Sequence, residues 1–566
     1  MKYVTYAVLI AVITCLYPFN AHALWTGADG KIKAIGKIKA QATWRMEDAP
    51  PNNPIPIEAG DMISQRNLLM LEWKHDVGKL WGDLKSEYYL QGRAYYDGVW
   101  DYGPKEFSDD EFRHEYTFDN RDQINDLKKG VDLYMAYVDL VYGHFFVRTG
   151  RQVMAWGEMS TIRILDGTNP MNTSSLAVDM SERRIPLWML RANYATEFVG
   201  PFDSLSLEGY YIPGKIDNTY EEKMIDGSAI LPTIGRDTQE DLADSFSMAS
   251  LKQIMYQENS DIDKDRFGLR LGMLSHGLDL NLCYYRMYSE VPVPYLNAGA
   301  LKDIYIDSSQ IDFTHIMQSI LGDQKLVVEL TRDTVDVFGL SFNTNLTSID
   351  TVMRGEAAYF KDVPKMTPGK IEDVIAAFAP KISIKGAGNL NDYIQKGYLS
   401  LPENITKMDL PFTTGEIAKF DVVKYGIGFD KFQKIPFLGP DDYMFTVEYV
   451  GSKILDYKRK TIMSPWYAPW DDNQDGQYDT VWEEEYSNTF ILISQTRFLN
   501  GNLTPMLVAM YEVEPQALVL IPSFVYEWKN FQFEVSYFLT ESKEYDGTLG
   551  MLDKRDEFTV NITWNF

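Results

Sequence analysis

The last eleven residues place the tightest limit on what this chain can become. They read Asp556-Glu557-Phe558-Thr559-Val560-Asn561-Ile562-Thr563-Trp564-Asn565-Phe566. Side chains of a strand alternate between two faces, so Phe558, Val560, Ile562, Trp564 and Phe566 share one side. Thr559, Asn561, Thr563 and Asn565 share the other. A strand of a soluble sandwich has the same pattern. Two further features point elsewhere: an export signal begins the chain, and aromatic residues end it. A closing strand of a bacterial outer-membrane barrel has its apolar side to lipid and its polar side to a lumen.

The export signal is short. Lys2 supplies a positive start, Val4 to Leu16 an apolar core, and Ala21-His22-Ala23 a cleavage site, so residues 1–23 are expected to be removed and the mature chain to begin at Leu24. The apolar run is too short to span a bilayer as a helix, and no later stretch reaches the ~20 apolar residues that a helical span needs. An exported chain of this kind can be integral only as a closed barrel, because lipid offers no partner to a free sheet edge. The counts of 36 Tyr, 29 Phe and 12 Trp suit two aromatic girdles. Only Cys283 remains after cleavage, so no internal disulfide is possible. The formal charge of −27 becomes −28 once Lys2 is lost, which argues against nucleic acid as a partner. It suits a surface bathed in divalent cations.

Alternating segments recur along the chain. They fall near 31–45, 62–75, 80–96, 131–142, 144–153, 187–198, 204–213, 264–275 and 277–289, then near 335–345, 350–361, 419–430, 441–450, 486–498, 502–513, 516–528, 531–541 and 554–566. The fold class is therefore all-β: residues 24–566 form a single transmembrane antiparallel barrel of about 18 strands with long outer loops, some with short helices. Connection lengths support it, because they mostly alternate. Gly143, Ser275-His276-Gly277, Thr347 to Ile349, Asn500-Gly501 and Lys529-Asn530 are short, whereas 97–130, 154–186, 214–263, 290–334, 362–418 and 451–485 are long. With both termini periplasmic, every long connection lies outside; the outer connection 514–515 is the short exception. A soluble all-β protein has no reason to sort its loops in this way.

The polar faces give a first view of the lumen, which is mixed in charge: Asp83, Lys85, Glu87, Gln91 and Arg93 on one segment, Arg191, Asn193 and Glu197 on another, then Arg266 with Arg270, Arg354 with Glu356, and Gln532, Glu534 and Ser536. Two loop segments have helix-like spacing. Glu240 to Glu258 carries Leu242, Phe246, Leu251, Ile254 and Met255, and Ile371 to Phe378 forms a short apolar turn. Local packing between neighbouring loops explains them more simply than a cap over the mouth.

The connection 154–186 is the richest in chemistry. In general porins the third outer loop folds into the barrel and narrows it. Here that loop and its approach carry Arg151, Trp156, Glu158, Arg163, Asp166, Asp179, Glu182, Arg183 and Arg184. These are the candidate constriction and solute-contacting residues, since opposite charges across a pore orient polar solutes. A solvated loop with paired charges is the plainer alternative. Gly150-Arg151-Gln152, Trp156-Gly157-Glu158 and Asn169-Pro170 resemble the motifs of an uncharacterised family of porin-like outer-membrane proteins known by a domain of unknown function. Phe338-Gly339-Leu340-Ser341-Phe342-Asn343-Thr344 resembles a second stretch of it. The resemblance covers most of residues 24–566 and implies an outer-membrane barrel acting with an RND-type transporter on hydrophobic or lipid-like compounds. It supplies no catalytic residue and no substrate.

A second candidate site is Asp471, Asn473, Asp475, Gln477, Asp479 and Glu483. Oxygen ligands at positions 1, 3 and 5, Gly476 at 6 and an acid at 9 fit the start of a calcium loop. Position 12 is Trp482, so the EF-hand pattern is broken, and the expectation is a structural Ca2+ of another kind or a solvated acidic turn. No other cofactor is expected. The histidines left after cleavage, His75, His114, His144, His276 and His315, are scattered. His276 follows Ser275, but neighbours in a strand or tight turn tend to point apart, so no enzyme is expected.

The function expected is an integral outer-membrane channel for small solutes, with lipid and lipopolysaccharide around it. Two other classes stay open: a surface receptor or adhesin with a closed lumen, and a sheath around an exporter or electron-transfer complex.

Overall fold

The computed structural model describes residues 25–566 except 28–29, 49–56, 109–127, 172–179, 215–253, 259–263, 292, 297–303, 307–325, 371–372, 374–375, 377–378, 386–387, 391–408, 411–412, 436–441, 464–481 and 545–546. The signal segment and much of the loops 214–263, 290–334, 362–418 and 451–485 lie outside the described residues.

Eighteen strands form the wall. They are β1 (Ile32–Arg45), β2 (Met62–Trp81), β3 (Leu84–Asp97), β4 (Lys129–Tyr142), β5 (Phe145–Gln152), β6 (Leu187–Val199), β7 (Phe202–Ile212), β8 (Arg266–Ser275) and β9 (Leu278–Tyr288). The second half comprises β10 (Thr334–Leu346), β11 (Thr351–Lys365), β12 (Ala418–Lys434), β13 (Asp442–Ile454), β14 (Tyr486–Gln495), β15 (Leu503–Glu512), β16 (Ala517–Trp528), β17 (Phe531–Glu541) and β18 (Glu557–Asn565). Each pairs antiparallel with the next, and β18 returns to β1 with registers from Lys37↔Asn565 to Arg45↔Glu557. The sheet is thus closed and no wall strand has a free edge. Below the end of β18, Trp25–Thr26 pairs with Ala34 and Lys33 and covers the first residues of β1.

Connections at one end are tight, and left-handed residues turn several of them, including Gly143, His276, Gly277 and Lys529. The long connections are all at the other end, with 513–516 the short one among them. Three loop segments, Ile254–Glu258, Leu326–Thr331 and Val293–Leu296, form a small sheet. The helical spacing over 240–258 is therefore overruled at 254–258, where the backbone pairs in parallel with 326–330 instead of with itself.

The two faces of the wall separate as the alternation requires. On β18 Thr559, Asn561 and Thr563 are buried inside, as are Gln41 and Thr43 on β1, and Thr43 and Thr559 share a hydroxyl hydrogen bond of 3.1 Å. Outside, Leu71, Leu90, Leu190, Leu207, Leu269 and Phe524 are exposed. Aromatic chains flank this aliphatic belt. Phe267, Tyr284, Phe338 and Tyr359 follow one another at the long-loop end, and Trp528, Phe531, Trp564 and Phe566 at the short-turn end. A closed wall with an apolar belt between two aromatic bands is the geometry of a membrane-spanning barrel.

Val560 lies mid-strand on the outer face, opposite Val535. Val560→Arg is expected to destabilise the folded barrel in lipid by about 2–4 kcal/mol. The measurement is urea unfolding in vesicles, with Asn561→Gln on the inner face as a near-neutral control.

Candidate functional site

Between β5 and β6 the described residues 153–171 and 180–186 lie inside the barrel. The chain turns inward here as a strap, and the residues at its root explain why. Gly150 has φ +131, and a side chain there would drive a Cβ to 2.1 Å from the Ala136 carbonyl oxygen, so only glycine fits. Gln152 is fully buried and its Nε2 donates to the Met189 carbonyl at 3.1 Å. Asn169 then ties both ends of the strap. Its Nδ2 donates to the carbonyls of Gln152 (3.2 Å) and Ile185 (2.9 Å), and its Oδ1 accepts the Met154 N–H at 2.8 Å.

Backbone inside a barrel must find partners for its N–H groups. Here carboxylates supply them. Asp166 Oδ1 accepts from the N–H groups of Trp156 and Gly157, the latter at 2.7 Å. Glu356 on β11 accepts from the N–H groups of Glu158 and Met159 on one oxygen and of Leu165, at 3.0 Å, on the other. Glu448 on β13 accepts the Ser160 N–H at 2.8 Å and the guanidinium of Arg354 at 2.6 Å. Arg354 also donates to the Glu158 carbonyl and to Asp430. Small residues make room for this docking. A Cβ on Gly157 would meet Glu356 Oε1, one on Gly339 would strike Leu165, and one on Gly426 would press on Ile164. The apolar side of the strap is buried as well: Trp156 sits between Tyr210 and Tyr285 and gives its Nε1 proton to Glu208 at 3.2 Å. Met154, Met159, Ile164 and Leu165 join the same core.

The far end of the strap crosses to another sector. Glu182, on the single turn Met180–Arg183, meets Lys37 (3.0 Å) and Lys39 (3.5 Å) of β1. Arg184 pairs with Asp166 at 2.9 Å, and its carbonyl accepts the Tyr134 hydroxyl at 2.6 Å. The strap is therefore strung between two unlike walls. One, on β11 to β13, presents Glu356, Asp430 and Glu448 around Arg354. The other, on β1 and β2, presents Lys37, Lys39 and Arg66.

Residues 4–566 match the family described as a protein of unknown function, DUF1302. The chain belongs to this family. No curated protein matches it. Among solved structures it is similar to Salmonella typhi OmpF in complex with daunomycin, at 10% identity over 94% of this chain and 97% of that one, with a TM-score of 0.37. It is also similar to a BenF-like porin from Pseudomonas fluorescens Pf-5 (9% identity, 94% and 98% covered, TM-score 0.45) and to Acinetobacter baumannii OccAB3 (9%, 94% and 99%, 0.42).

The geometry gives the DUF1302 motifs physical roles. Gly150 and Gln152 turn the chain inward, Trp156-Gly157-Glu158 is the docked segment, and Asn169 closes its neck. Gly339 and Asn343 of the second motif lie against the strap, with Asn343 Nδ2 donating to Glu158 Oε2 at 3.4 Å.

Among the expected contact residues, Trp156 and Asp166 are buried, with their polar groups bonded to protein. Arg163 donates to the carbonyls of Asp166 and Asn169, both at 3.0 Å, and lies 4.0 Å from Glu290. Arg183 is within electrostatic reach of Arg163. Arg151 is on the face of β5 opposite Arg148 and donates to the carbonyls of Leu133 and Pro186. Asp179 lies outside the described residues, as do Asp471, Asn473, Asp475, Gln477 and Asp479. Glu483 is described: its carboxylate holds Lys365. Sequence reasoning missed Lys37, Lys39, Arg66 and Glu448 as partners of the strap sector. Their alternation put them on a polar face, but nothing local announced a contact with residues over a hundred positions away. Ser275 and His276 do not point apart. His276 takes a left-handed φ of 50, which brings Nδ1 to 2.9 Å from Ser275 Oγ at the short-turn end.

Ion pairs also tie down the loop bases. Burial opposes ionisation of Glu290, but Lys424 and Arg163 outweigh it and hold its carboxyl at about 2. Burial likewise opposes Asp333, and hydrogen bonds from Lys264 and Lys419 hold it well below the usual range. A depressed carboxyl stabilises the fold above its ordinary pKa and stops doing so as pH falls through the folded value. The loop bases should therefore resist protease at pH 4 and loosen only near the folded value of Glu290, about 2. Peptide mapping across that range, with an acid-active protease, checks it. Glu356→Ala strands three buried N–H groups, each worth about 1–3 kcal/mol, and should release the strap. Protease cleavage between Glu158 and Leu165, silent in the parent barrel, is the readout.

Proposed function

We propose that this protein is an outer-membrane channel that passes small solutes, with the described part of the 154–186 connection, the strap, as its constriction. The observation that carries the reading is the strap itself, held inside a membrane-spanning wall between an acidic sector and a basic one. Fixed opposite charges across a narrow passage make a transverse field, which orders a polar or zwitterionic solute along one axis. Docking through Glu356 and Glu448 keeps the strap from collapsing across the whole lumen, because each carboxylate already serves several donors.

The test is single-channel recording of the refolded mature protein in planar bilayers, with and without calcium, because 471–483 is rich in oxygen ligands. Steady openings with a definite ion selectivity are expected. Glu356→Ala should change the open conductance by about twofold or more, since it frees a segment docked with charge-assisted bonds. A heat-modifiable barrel that never conducts would replace this reading with a closed-lumen receptor.

A further inference from the structure

We propose that Lys37 and Lys39 of β1, with Arg66 of β2, form a subsite for the carboxylate of an organic acid, which Glu182 of the strap occupies in this structure. This rests on the channel reading and assigns its solute chemistry.

The first ground is charge. The chain is strongly acidic, at −27 overall, yet one strip of its lumen is not. Alternation puts Lys33, Lys37, Lys39 and Arg45 on the inner face of β1, and registers put Arg66 and Lys74 beside them on β2. The acids on the inner faces of these two strands are Glu72 and, near the short-turn end, Asp76; Lys74 pairs with Glu87 and Arg45 with Glu557, which leaves Lys37, Lys39 and Arg66 as the basic stretch facing the strap. Such a stretch lowers the energy of an anion beside it, and a low-dielectric wall on one side focuses the effect.

The second ground is geometry. Glu182 Oε1 is 3.0 Å from Lys37 Nζ and Oε2 is 3.5 Å from Lys39 Nζ. One carboxylate thus bridges two ammonium groups, one oxygen to each, and its two oxygens stand in for those of a solute acid. Lys39 is nearly closed off with Glu182, while the Lys37 side chain keeps 29% of its surface open. The pair can therefore be approached from the lumen. Arg66 lies against the Tyr95 ring, 5.1 Å from its centroid, and has no carboxylate within ion-pair distance among the described residues. A planar guanidinium whose Nε has no hydrogen-bond partner among the described residues suits a second anchoring contact.

The third ground is how Glu182 is held. It sits on a single helical turn, whereas the docked end at 156–166 is gripped by three carboxylates and a buried tryptophan. A solute carboxylate can exchange with Glu182 at little net cost, because each charge-assisted bond lost is replaced by another of the same kind.

The experiment uses the full mature barrel in planar bilayers, with benzoate as the probe and benzamide as its neutral control. Benzoate should interrupt the current in a dose-dependent way and benzamide should not. Lys37→Gln with Lys39→Gln should weaken the block about tenfold or more, the worth of one charged hydrogen bond. Glu182→Gln should strengthen it by a similar factor, as a neutral amide competes poorly for two lysines. Each variant is first shown to be heat-modifiable, so that misfolding is not read as lost binding. Equal block by benzamide, or unchanged block in the double lysine variant, overturns the subsite. A folded barrel that never conducts overturns the channel reading instead. Equilibrium dialysis with labelled benzoate then decides the subsite alone: binding weakened by the lysine changes supports it, and binding indifferent to them overturns it.

Discussion

The site depends on one demand: a backbone segment that runs through the inside of a barrel must still find acceptors for its N–H groups. A strand meets that demand with its neighbours, but the strap has none. Asp166, Glu356 and Glu448 meet it instead, each accepting from one or more amides. Everything else about the strap follows. Gly157 lets the backbone approach these carboxylates, Gly339 and Gly426 clear space on the wall, and Arg354 offsets the charge that Glu448 brings with it. A buried carboxylate costs several kcal/mol unless bonded, so the strap and its acids stabilise each other or neither is tolerated.

The two ends of the strap use opposite chemistry. At β11 to β13 the wall offers acceptors and the strap offers amide protons. At β1 the wall offers ammonium groups and the strap offers a carboxylate. A loop held by one kind of contact slides along its partners. One held by two complementary kinds has a single register relative to both sectors of the wall.

Much of the wall was legible in the sequence because a strand with one face in lipid and one in a lumen must alternate. All eighteen wall strands fall where the alternation put them, and the sorting of turns from loops holds along the chain. The inward placement of Arg93, Arg191, Arg354 and Glu356 was readable for the same reason. Local pattern failed where partners are remote. Ile254–Glu258 has helical spacing yet pairs as a strand with residues some seventy positions on. Nothing around Glu158 says that its N–H will meet Glu356, and nothing around Lys37 says that Glu182 will reach it. Gly150 and Asn169 stood out as motif residues, but only the three-dimensional neck shows that one clears a carbonyl and the other binds both sides.

The seam between β1 and β18 has a consequence for assembly in time. Residues 37–45 cannot complete their pairing until 557–565 arrive, so the first strand waits for the last. The strap is laid down long before Glu356 and Glu448 exist to receive it, and its other anchor, β1, stays unzipped on one edge throughout. A chain that stops before β11 leaves both an open edge and a strap without its wall acceptors, whereas one that stops after β13 leaves only the open edge.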